Sequence, residues 1–210
     1  MSKLYFKFGA MGSSKTANAL MTRFNYLEKN HSVWLVKPQT DNRDDYVDEN
    51  GNVVTTVKSR IGLSAPASVI KDDDDITKLI CSAQADIVQE DEVVKTSKID
   101  VVICDECQFL SEKQIDQLKY IAENMDITVL CFGLRSDFRT KLFPGSKRLF
   151  EIADSITEIK SICECGKKAI VNARFDSNGN LVTEGAQVDI GGNEKYKSMC
   201  WSCWQKLQNK

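Results

Sequence analysis

The stretch from residue 3 to residue 16 constrains this chain more than any other, because an apolar run there leads directly into a glycine-containing turn. The turn consists of Gly9, Ala10, Met11, Gly12, Ser13, Ser14, Lys15 and Thr16. Apolar residues recur at helical spacing after it, so the sequence predicts a strand, a loop and a helix in that order. A phosphate-binding P-loop has this context: backbone N–H groups at the helix N-terminus face the anion, Lys15 reaches the outer phosphates and the hydroxyl of Thr16 holds Mg²⁺.

Ser14 stands where the usual P-loop pattern has its second glycine. A serine fits there only if the backbone does not need a positive φ, or if the site tolerates a small Cβ. The alternative interpretation is an ordinary strand-to-helix turn that happens to contain Lys-Thr.

Composition limits the class of protein. The 210 residues are 42% hydrophobic and 28% charged, which predicts a globular chain of one large domain, or one domain with a small appendage. A net charge of −2 argues against nucleic acid as the main partner, since such proteins usually carry a basic face. We find neither a secretory signal nor an apolar stretch near the ~18 residues of a membrane span, so we expect a cytoplasmic protein with no membrane partner.

Continuous apolar runs at residues 32–36, 101–104 and 127–132 predict strands that are buried on both faces. A further strand is predicted at residues 53–57, after a polar turn. Ser111 and Gln114 form a capping-box pattern, which opens a helix through about residue 124. Because these strands alternate with helices, the sequence predicts an α/β fold with a parallel sheet and flanking helices.

Asp105 and Glu106 follow the apolar run at residues 101–104. In a parallel sheet the carboxyl end of that strand lies near the P-loop, where Asp105 can help to bind Mg²⁺, commonly through water. Glu106 is then placed to accept a proton from an attacking hydroxyl or water. The alternative is a strand that ends in two solvated acids. Arg43 and Arg60, in the polar region between the strands, are weaker candidates for facing phosphates.

The eight cysteines fall into two groups. Two close pairs near the C-terminus, Cys163 with Cys165 and Cys200 with Cys203, suit a tetrahedral structural Zn²⁺ site, although a disulfide pair or buried free thiols are alternatives. The scattered remainder are interpreted as buried apolar residues: Cys81, Cys104, Cys107 and Cys131. Between the pairs, an Asn-Gly turn predicts a β-hairpin, and a long loop follows it up to Tyr196.

Taken in order, these motifs resemble the zinc-containing P-loop (type II) thymidine kinase family of bacteria, phages, poxviruses and animal cytosol. The resemblance covers nearly the whole chain. It rests on the turn at residues 9–16, Asp-Glu-Cys-Gln-Phe at 105–109, Gly-Leu-Arg-Ser-Asp-Phe-Arg at 133–139, the paired cysteines, and Ile-Gly-Gly-Asn-Glu-Lys-Tyr at 190–196.

The resemblance implies a RecA-like P-loop domain and transfer of the γ-phosphoryl group of ATP to the 5′-hydroxyl of thymidine or deoxyuridine, which gives dTMP in pyrimidine deoxynucleotide salvage. It implies catalytic roles for Glu106 as general base, for Lys15 and for Arg43, with Thr16 and Asp105 at Mg²⁺. The ATP-binding residues would be the turn at residues 9–16 together with Asp105, Glu106, Cys107 and Gln108.

The family also closes a C-terminal lasso, here about residues 176–196, over the nucleoside base, and its structural zinc fixes the base of that lasso. The implied substrate-binding residues are Met11, Leu134, Phe138, Phe143, Gln187, Val188, Ile190, Gly191 and Tyr196. Plain core packing is the alternative for the four apolar side chains at the start of that set. A homotetramer and feedback inhibition by thymidine triphosphate are implied as well.

We therefore expect a P-loop ATP-binding α/β domain at residues 1–158 and a small zinc-binding lasso domain at residues 159–210. Two other functions remain open from the residues alone. One is an ATPase whose zinc ribbon grips nucleic acid, which would need a basic ribbon surface. The other is a P-loop kinase for a different nucleoside, or a relative in which Ser14 has abolished catalysis.

Overall fold

A parallel β-sheet with helices on both faces forms the larger part of the fold. The computed structural model describes residues 3–86, 98–187 and 195–209. Its strands are β1 (Leu4–Phe8), β2 (Val33–Pro38), β3 (Tyr46–Val47), β4 (Val53–Val54), β5 (Thr56–Lys58), β6 (Ser64–Pro66), β7 (Ser68–Ile70), β8 (Val101–Cys104), β9 (Thr128–Gly133), β10 (Ser155–Glu158), β11 (Ser161–Ile162), β12 (Lys168–Ala169), β13 (Val171–Phe175), β14 (Leu181–Val182) and β15 (Tyr196–Met199). The α-helices are α1 (Lys15–Leu27), α2 (Ile76–Asp86), α3 (Glu112–Asn124), α4 (Pro144–Ile152) and α5 (Trp201–Gln208), and a 3₁₀ turn spans Cys107–Phe109.

The main sheet has six strands in the order β10-β1-β9-β8-β2-β7. Every pairing between neighbours in it is parallel. The three apolar runs predicted as buried strands form β2, β8 and β9, and the α/β class predicted from their alternation with helices is confirmed. Since all strands point the same way, their carboxyl ends share one edge, which is where ligands bind in such sheets.

Alternate residues of the strands supply two separate core layers. Leu4, Phe6, Val102 and Val129 face α2, α3 and α4, whose buried side chains belong to the same cluster. Their strand neighbours face α1 on the opposite side of the sheet: Val101, Ile103, Leu130 and Phe132. Burial on both faces explains why these strands are continuous apolar runs in the sequence.

The predicted capping box is present at the start of α3. The Ser111 hydroxyl accepts a hydrogen bond from the Gln114 N–H, and the Gln114 side chain accepts one from the Ser111 N–H. The helix ends at Asn124, as the sequence predicted. Two backbone donors that a helix start leaves free are therefore satisfied locally.

The region between β2 and α2 differs from the sequence prediction. Residues 53–57 form parts of two hairpins, β3–β4 and β5–β6, instead of one strand. Lys37 explains part of this arrangement: it is fully buried and donates to Asp45 and to the carbonyl of Thr56. A buried ammonium needs such partners, so the chain folds back over the end of β2.

The chain after β10 builds smaller, antiparallel structures. Strands β11 and β12 pair, and β13 lies between β14 and β15 in a three-stranded sheet. The predicted hairpin is confirmed: β13 and β14 flank the turn at residues 176–180, where Gly179 has φ 82°. Helix α5 packs on this sheet through the buried Trp204.

Among the four scattered cysteines, Cys104, Cys107 and Cys131 are buried, as predicted, and burial raises the pKa of the Cys104 and Cys107 thiols. The prediction is wrong for Cys81, which is exposed on α2. Its neighbour Ile80 is the residue that α2 buries at this point. Within the described residues, no helix combines the length and the apolar character that crossing a bilayer requires.

Candidate active site

The turn between β1 and α1 is fixed by backbone hydrogen bonds at the carboxyl edge of the main sheet. The Gly9 N–H donates to the Gly133 carbonyl at the end of β9, over 3.2 Å, and the Ser13 N–H donates to the Ala10 carbonyl. The buried Lys15 side chain curls back, and its Nζ lies 3.0 Å from the Ala10 carbonyl oxygen. Strand, loop and helix thus follow one another as the sequence predicted.

Ser14 adopts a left-handed backbone conformation, with φ 60° and ψ 29°. The position therefore does need the positive φ for which glycine is usual. Serine is accommodated because the site tolerates its small Cβ. Its exposed side chain makes no capping hydrogen bond to α1. Gly12 also has a positive φ, of 71°. The loop thus keeps the shape of the glycine-containing pattern although one glycine is replaced.

Asp105 lies at the end of β8, beside the start of α1, and is 3% exposed. The Thr16 side chain hydrogen-bonds to it, while its Oδ1 atom is buried and has no hydrogen-bond partner among the described residues. Burial raises the pKa of Asp105 to about 7, and the charge of Glu106 adds to this effect. A buried carboxylate oxygen with no donor, next to a threonine hydroxyl, has the oxygen chemistry that Mg²⁺ prefers.

Glu106 is held from two sides. Arg43 donates to its Oε1 over 2.8 Å, and Gln108 donates to its Oε2 over 2.6 Å. Arg43 in turn donates to Asp41 over 2.6 Å, so a chain of charged groups connects residue 41 with residue 106. The backbone of Glu106 is left-handed, with φ 50°, and such strained positions are concentrated at functional sites.

The charges around Glu106 set its protonation. Burial alone would raise the pKa of Glu106, but Arg43 and Lys15 outweigh burial and lower it. Burial lowers the pKa of Lys15, against the opposing effect of Glu106 and Asp105. For Arg43, burial is outweighed by Glu106 and Asp41, which raise the pKa of its guanidinium. Glu106 is therefore an ionised carboxylate near neutral pH.

Gln108 connects this group to the end of β9. Its Oε1 accepts a hydrogen bond from the Leu134 N–H over 2.9 Å while its Nε2 donates to Glu106. Gly133 permits the approach, because a Cβ at that position would lie 2.6 Å from Gln108 Oε1 and 2.7 Å from Cys107 Sγ. The buried Cys107 thiol points into the core, so only its backbone is available to a nucleotide.

A cavity of about 490 Å³ opens between the P-loop, Glu106 and the loop after β9. Of the predicted substrate-binding residues, six line this cavity: Met11, Leu134, Phe138, Phe143, Gln187 and Tyr196. Val188, Ile190 and Gly191 lie outside the described residues. The apolar side is built by aromatic contacts, since the rings of Phe143 and Phe109 meet edge to face at 5.7 Å. The cavity therefore has one charged wall and one apolar wall.

The β5–β6 hairpin contributes cations to the charged wall. Lys58 and Arg60 both line the cavity. A Cβ placed on Gly12 would be 3.9 Å from Arg60 Nη1, so this guanidinium lies against the P-loop. Arg43 and Arg60 were equally weak candidates from the residues alone, and the structure places both at the cavity.

Asn172, Asp137 and Ser136 also line the cavity, and the sequence did not single them out for it. Asn172 lies on β13, in a stretch read only as one arm of a hairpin. Its contact with the P-loop joins residues 161 positions apart in the chain. No local pattern marks such a residue, because its role depends on the packing of one sheet against another.

The four C-terminal cysteines come together, as the sequence predicted. Their Sγ atoms all lie within 4.8 Å of one another, and the Cys165 and Cys200 sulfurs are 3.6 Å apart. Tetrahedral Zn–S bonds of about 2.3 Å require sulfurs about 3.8 Å apart, so the cluster fits a zinc site. Hydrogen bonds from backbone N–H groups lower the pKa of Cys163 to about 7 and also lower that of Cys200, whereas hydrogen bonds with Cys165 and Cys200 raise the pKa of Cys203 to about 12. The thiolate form that binds metal is thus favoured at Cys163 and Cys200.

Comparisons with known proteins agree with this arrangement. The family model described as thymidine kinase matches residues 2–204. A protein named thymidine kinase from Legionella pneumophila (strain Philadelphia 1) is 42% identical over 95% of this chain and 88% of its own length. The thymidine kinases of Agrobacterium fabrum and of Enterobacteria phage T4 are 39% and 41% identical, each over 100% of this chain and 99% of the relative. With this coverage and the site just described, the chain belongs to the thymidine kinase family.

Proposed function

We propose that the protein transfers the γ-phosphoryl group of ATP to the 5′-hydroxyl of thymidine, and of deoxyuridine, to give dTMP. The observation that carries this proposal is the position of Glu106. Its carboxylate lies between the P-loop and the apolar part of the cavity, held by Arg43 and Gln108. At this junction a nucleoside hydroxyl would meet the terminal phosphate, and a base there can accept the hydroxyl proton.

The triphosphate would bind at the N-terminus of α1. Backbone N–H groups of the loop and the positive end of the helix favour an anion there. Lys15 would bind the outer phosphates, and Arg43 would neutralise charge on the moving phosphoryl group. Arg60 and Lys58 add positive charge on the facing hairpin. Phosphoryl transfer leaves the protein mainly positioning and charge compensation to do, which suits this set of side chains.

Thr16 and Asp105 would hold Mg²⁺. The unpartnered Oδ1 atom of Asp105 and the adjacent threonine hydroxyl support this assignment. When bound there, the ion would supply positive charge that offsets the charge of the phosphates. It would also favour the ionised form of Asp105, against the burial that raises the pKa of this residue.

Glu106 would act as the general base on the 5′-hydroxyl. The neighbouring cations keep it ionised, so it can accept a proton at neutral pH. The same cations weaken it as a base, which is tolerable because in a loose transition state little transfer of the hydroxyl proton is needed before the phosphoryl group moves.

The apolar wall would bind the thymine base between Met11, Leu134, Phe138 and Phe143, and a lasso at about residues 176–196 would close over it. Gln187 and Tyr196 lie on either side of the part of the lasso that is outside the described residues; both line the cavity and support this proposal. Zinc bound by the cysteine cluster would anchor the lasso just beyond Tyr196. A small, closed pocket would admit a pyrimidine and exclude a purine by shape.

We infer a cytoplasmic enzyme of nucleotide salvage with an ATP-binding domain at residues 1–158 and a lasso domain at 159–210. The end of the main sheet at Glu158 and the start of the small sheets at Ser161 support that boundary. We also propose that the enzyme is a homotetramer and that thymidine triphosphate inhibits it.

The test is steady-state phosphorylation of thymidine, deoxyuridine, deoxycytidine and deoxyguanosine with Mg-ATP, for the wild type and Glu106→Gln. Glutamine keeps the shape of the side chain but cannot accept the proton, so kcat for thymidine should fall by ~10²-fold or more. Glu28→Gln, at the exposed C-terminal end of α1, is the matched control and should retain wild-type activity.

Turnover of none of the four nucleosides by the wild type would contradict the proposal. The nucleic-acid-binding ribbon would then be tested by retention of the protein on DNA. Turnover of deoxyguanosine or deoxycytidine in preference to thymidine would instead favour a kinase for a different nucleoside.

A further inference from the structure

A cross-strand pair in the C-terminal sheet contacts both polar groups of one P-loop residue. Asn172 on β13 and Ser198 on β15 are direct partners in the antiparallel register. The Asn172 Oδ1 atom accepts a hydrogen bond from the Met11 N–H over 2.8 Å, and the Ser198 hydroxyl donates to the Met11 carbonyl. The backbone of Met11 is therefore bound on its donor side and on its acceptor side.

Asn172 also connects the P-loop to the loop after β9. Its Nδ2 atom donates to the Ser136 carbonyl over 2.9 Å, and the side chain is 3% exposed. Both ends of this buried amide are thus satisfied, which fixes its orientation. The P-loop and the loop that lines the apolar wall are held at one distance by a single side chain.

The pair lies close to the cysteine cluster. Ser198 precedes Cys200 by two residues. The residue between them, Met199, accepts a hydrogen bond at its carbonyl from the Ile170 N–H over 2.9 Å. A metal bound by Cys200 would therefore fix the end of β15 that carries Ser198. The contacts run from the cysteine cluster through β15 and β13 to Met11.

We propose that Asn172 and Ser198 are positioning residues that hold the P-loop in its nucleotide-binding shape, so that the C-terminal sheet controls the affinity for ATP. A loop that is already ordered loses less entropy on binding, and its ligand binds more tightly. Met11 gives its N–H to Asn172 and Ser13 gives its N–H to the Ala10 carbonyl, so neither of these two amides faces a phosphate. The inference rests on the proposed function only in taking ATP as the ligand.

A direct contact between Asn172 and the nucleoside is the competing explanation, because Asn172 lines the cavity. Substitution of Ser198 distinguishes the two explanations. Ser198 hydrogen-bonds to Met11 but is not one of the residues that line the cavity. A Cβ on Gly12 would be 4.0 Å from Ser198 Oγ, so this hydroxyl faces the P-loop itself.

The experiment compares Ser198→Ala and Asn172→Leu with the wild type. Calorimetry measures the Kd for Mg-ATP and for thymidine separately, and hydrogen exchange measures protection of the Met11 amide. Each variant should raise the Kd for Mg-ATP about tenfold, as expected when a buried polar partner loses its hydrogen bond. The Kd for thymidine should change less than twofold in Ser198→Ala, and the Met11 amide should exchange faster in Asn172→Leu.

Ser82→Ala on α2 and Asn124→Leu at the end of α3 repeat both substitutions at exposed positions outside the cavity, and should leave both Kd values unchanged. Circular dichroism and zinc content show whether each variant is folded. If Asn172→Leu does not fold, Ser198→Ala decides alone.

An unchanged Kd for Mg-ATP in folded Ser198→Ala would overturn the inference. So would a loss of thymidine affinity in Asn172→Leu with normal ATP binding, which would make Asn172 a nucleoside contact. Wild-type protein that binds Mg-ATP but does not phosphorylate thymidine would contradict the proposed function alone, because the Kd comparison reports on the loop directly.

Discussion

Two residues that line the cavity, Ser14 and Glu106, have left-handed backbones, with φ 60° and 50°. An L-residue in this conformation is about 1–2 kcal/mol less stable than in the right-handed region. The surrounding hydrogen bonds hold both residues there: the Asn18 N–H and side chain donate to the Ser14 carbonyl, and the Phe109 N–H donates to the Glu106 carbonyl. Both strained positions thus belong to segments that would contact the nucleotide.

Ser14→Gly should stabilise the protein. Glycine adopts a positive φ without steric conflict, and Ser14 makes no side-chain cap that would be lost. After subtraction of the greater freedom of glycine in the unfolded chain, we expect a gain of about 0.5–1 kcal/mol, or about 1–3 °C in Tm. Thermal unfolding followed by circular dichroism measures this change.

Ser82→Gly is the control for that substitution. Ser82 lies on the exposed side of α2, where glycine should lower stability by about 0.5 kcal/mol. The two variants should therefore shift Tm in opposite directions. A fall in Tm for Ser14→Gly would mean that the serine hydroxyl, and not the backbone, decides stability at this position.

The sequence could predict the residues whose roles follow from nearby positions. Lys15 and Thr16 sit at fixed offsets from Gly9, and Asp105 and Glu106 end an apolar run, so each pattern is local. Asn172 and Ser198 have no such pattern, because the contact between Ser198 and Met11 spans 187 positions. It forms only when the C-terminal sheet docks on the P-loop.

At the scale of elements, β2, β8 and β9 of the main sheet were predictable, because strands that are buried on both faces have continuous apolar sequences. The short β3–β4 and β5–β6 hairpins were not. Their strands are only two or three residues long and carry no continuous buried apolar run, although β5–β6 buries Val57 and Ala65. Lys37, a buried ammonium, contacts Asp45 before the first hairpin and the Thr56 carbonyl in the second. The hairpin that places Arg60 next to the P-loop thus depends on a tertiary contact, which β-propensity does not predict.

The cysteine cluster is the element that should depend on metal. Wild-type protein should contain one zinc per chain, and Cys165→Ser should lose it, since serine does not replace a thiolate ligand. Without the metal, β11, β12 and the start of α5 have little else to join them, because their core cluster consists largely of the cysteines themselves. For a chain of 210 residues a loss of several kcal/mol lowers Tm by about 10 °C.

Elemental analysis and thermal unfolding measure these two effects. Cys81→Ser makes the same substitution at an exposed cysteine outside the cluster and should keep both zinc and Tm. Wild-type protein whose four cluster thiols can be titrated and that contains no zinc, after purification without chelators, would contradict the zinc assignment.

At the scale of the whole molecule, one helix that carries part of the site also exposes apolar side chains. Met21, Phe24 and Leu27 on α1 are 46%, 59% and 39% exposed. They are spaced by three residues, which places them along one side of the helix. Apolar patches of this kind mark association surfaces, and the proposed homotetramer provides a second copy of the chain as the occupant.

Phe24→Glu should therefore weaken the assembly, because a charge would be buried without a partner between two copies of α1. Light scattering coupled to gel filtration should give four times the chain mass of 23.6 kDa for the wild type and a smaller species for the variant. Val53→Glu introduces the same charge at a residue 72% exposed on β4 and should not change the mass.

A wild type that elutes as a single chain at micromolar concentration would contradict the tetramer, whereas an intact tetramer in Phe24→Glu would place its interfaces on other surfaces. Because α1 begins at Lys15, loss of the tetramer in Phe24→Glu with unchanged ATP affinity would further show that the P-loop is ordered within one chain.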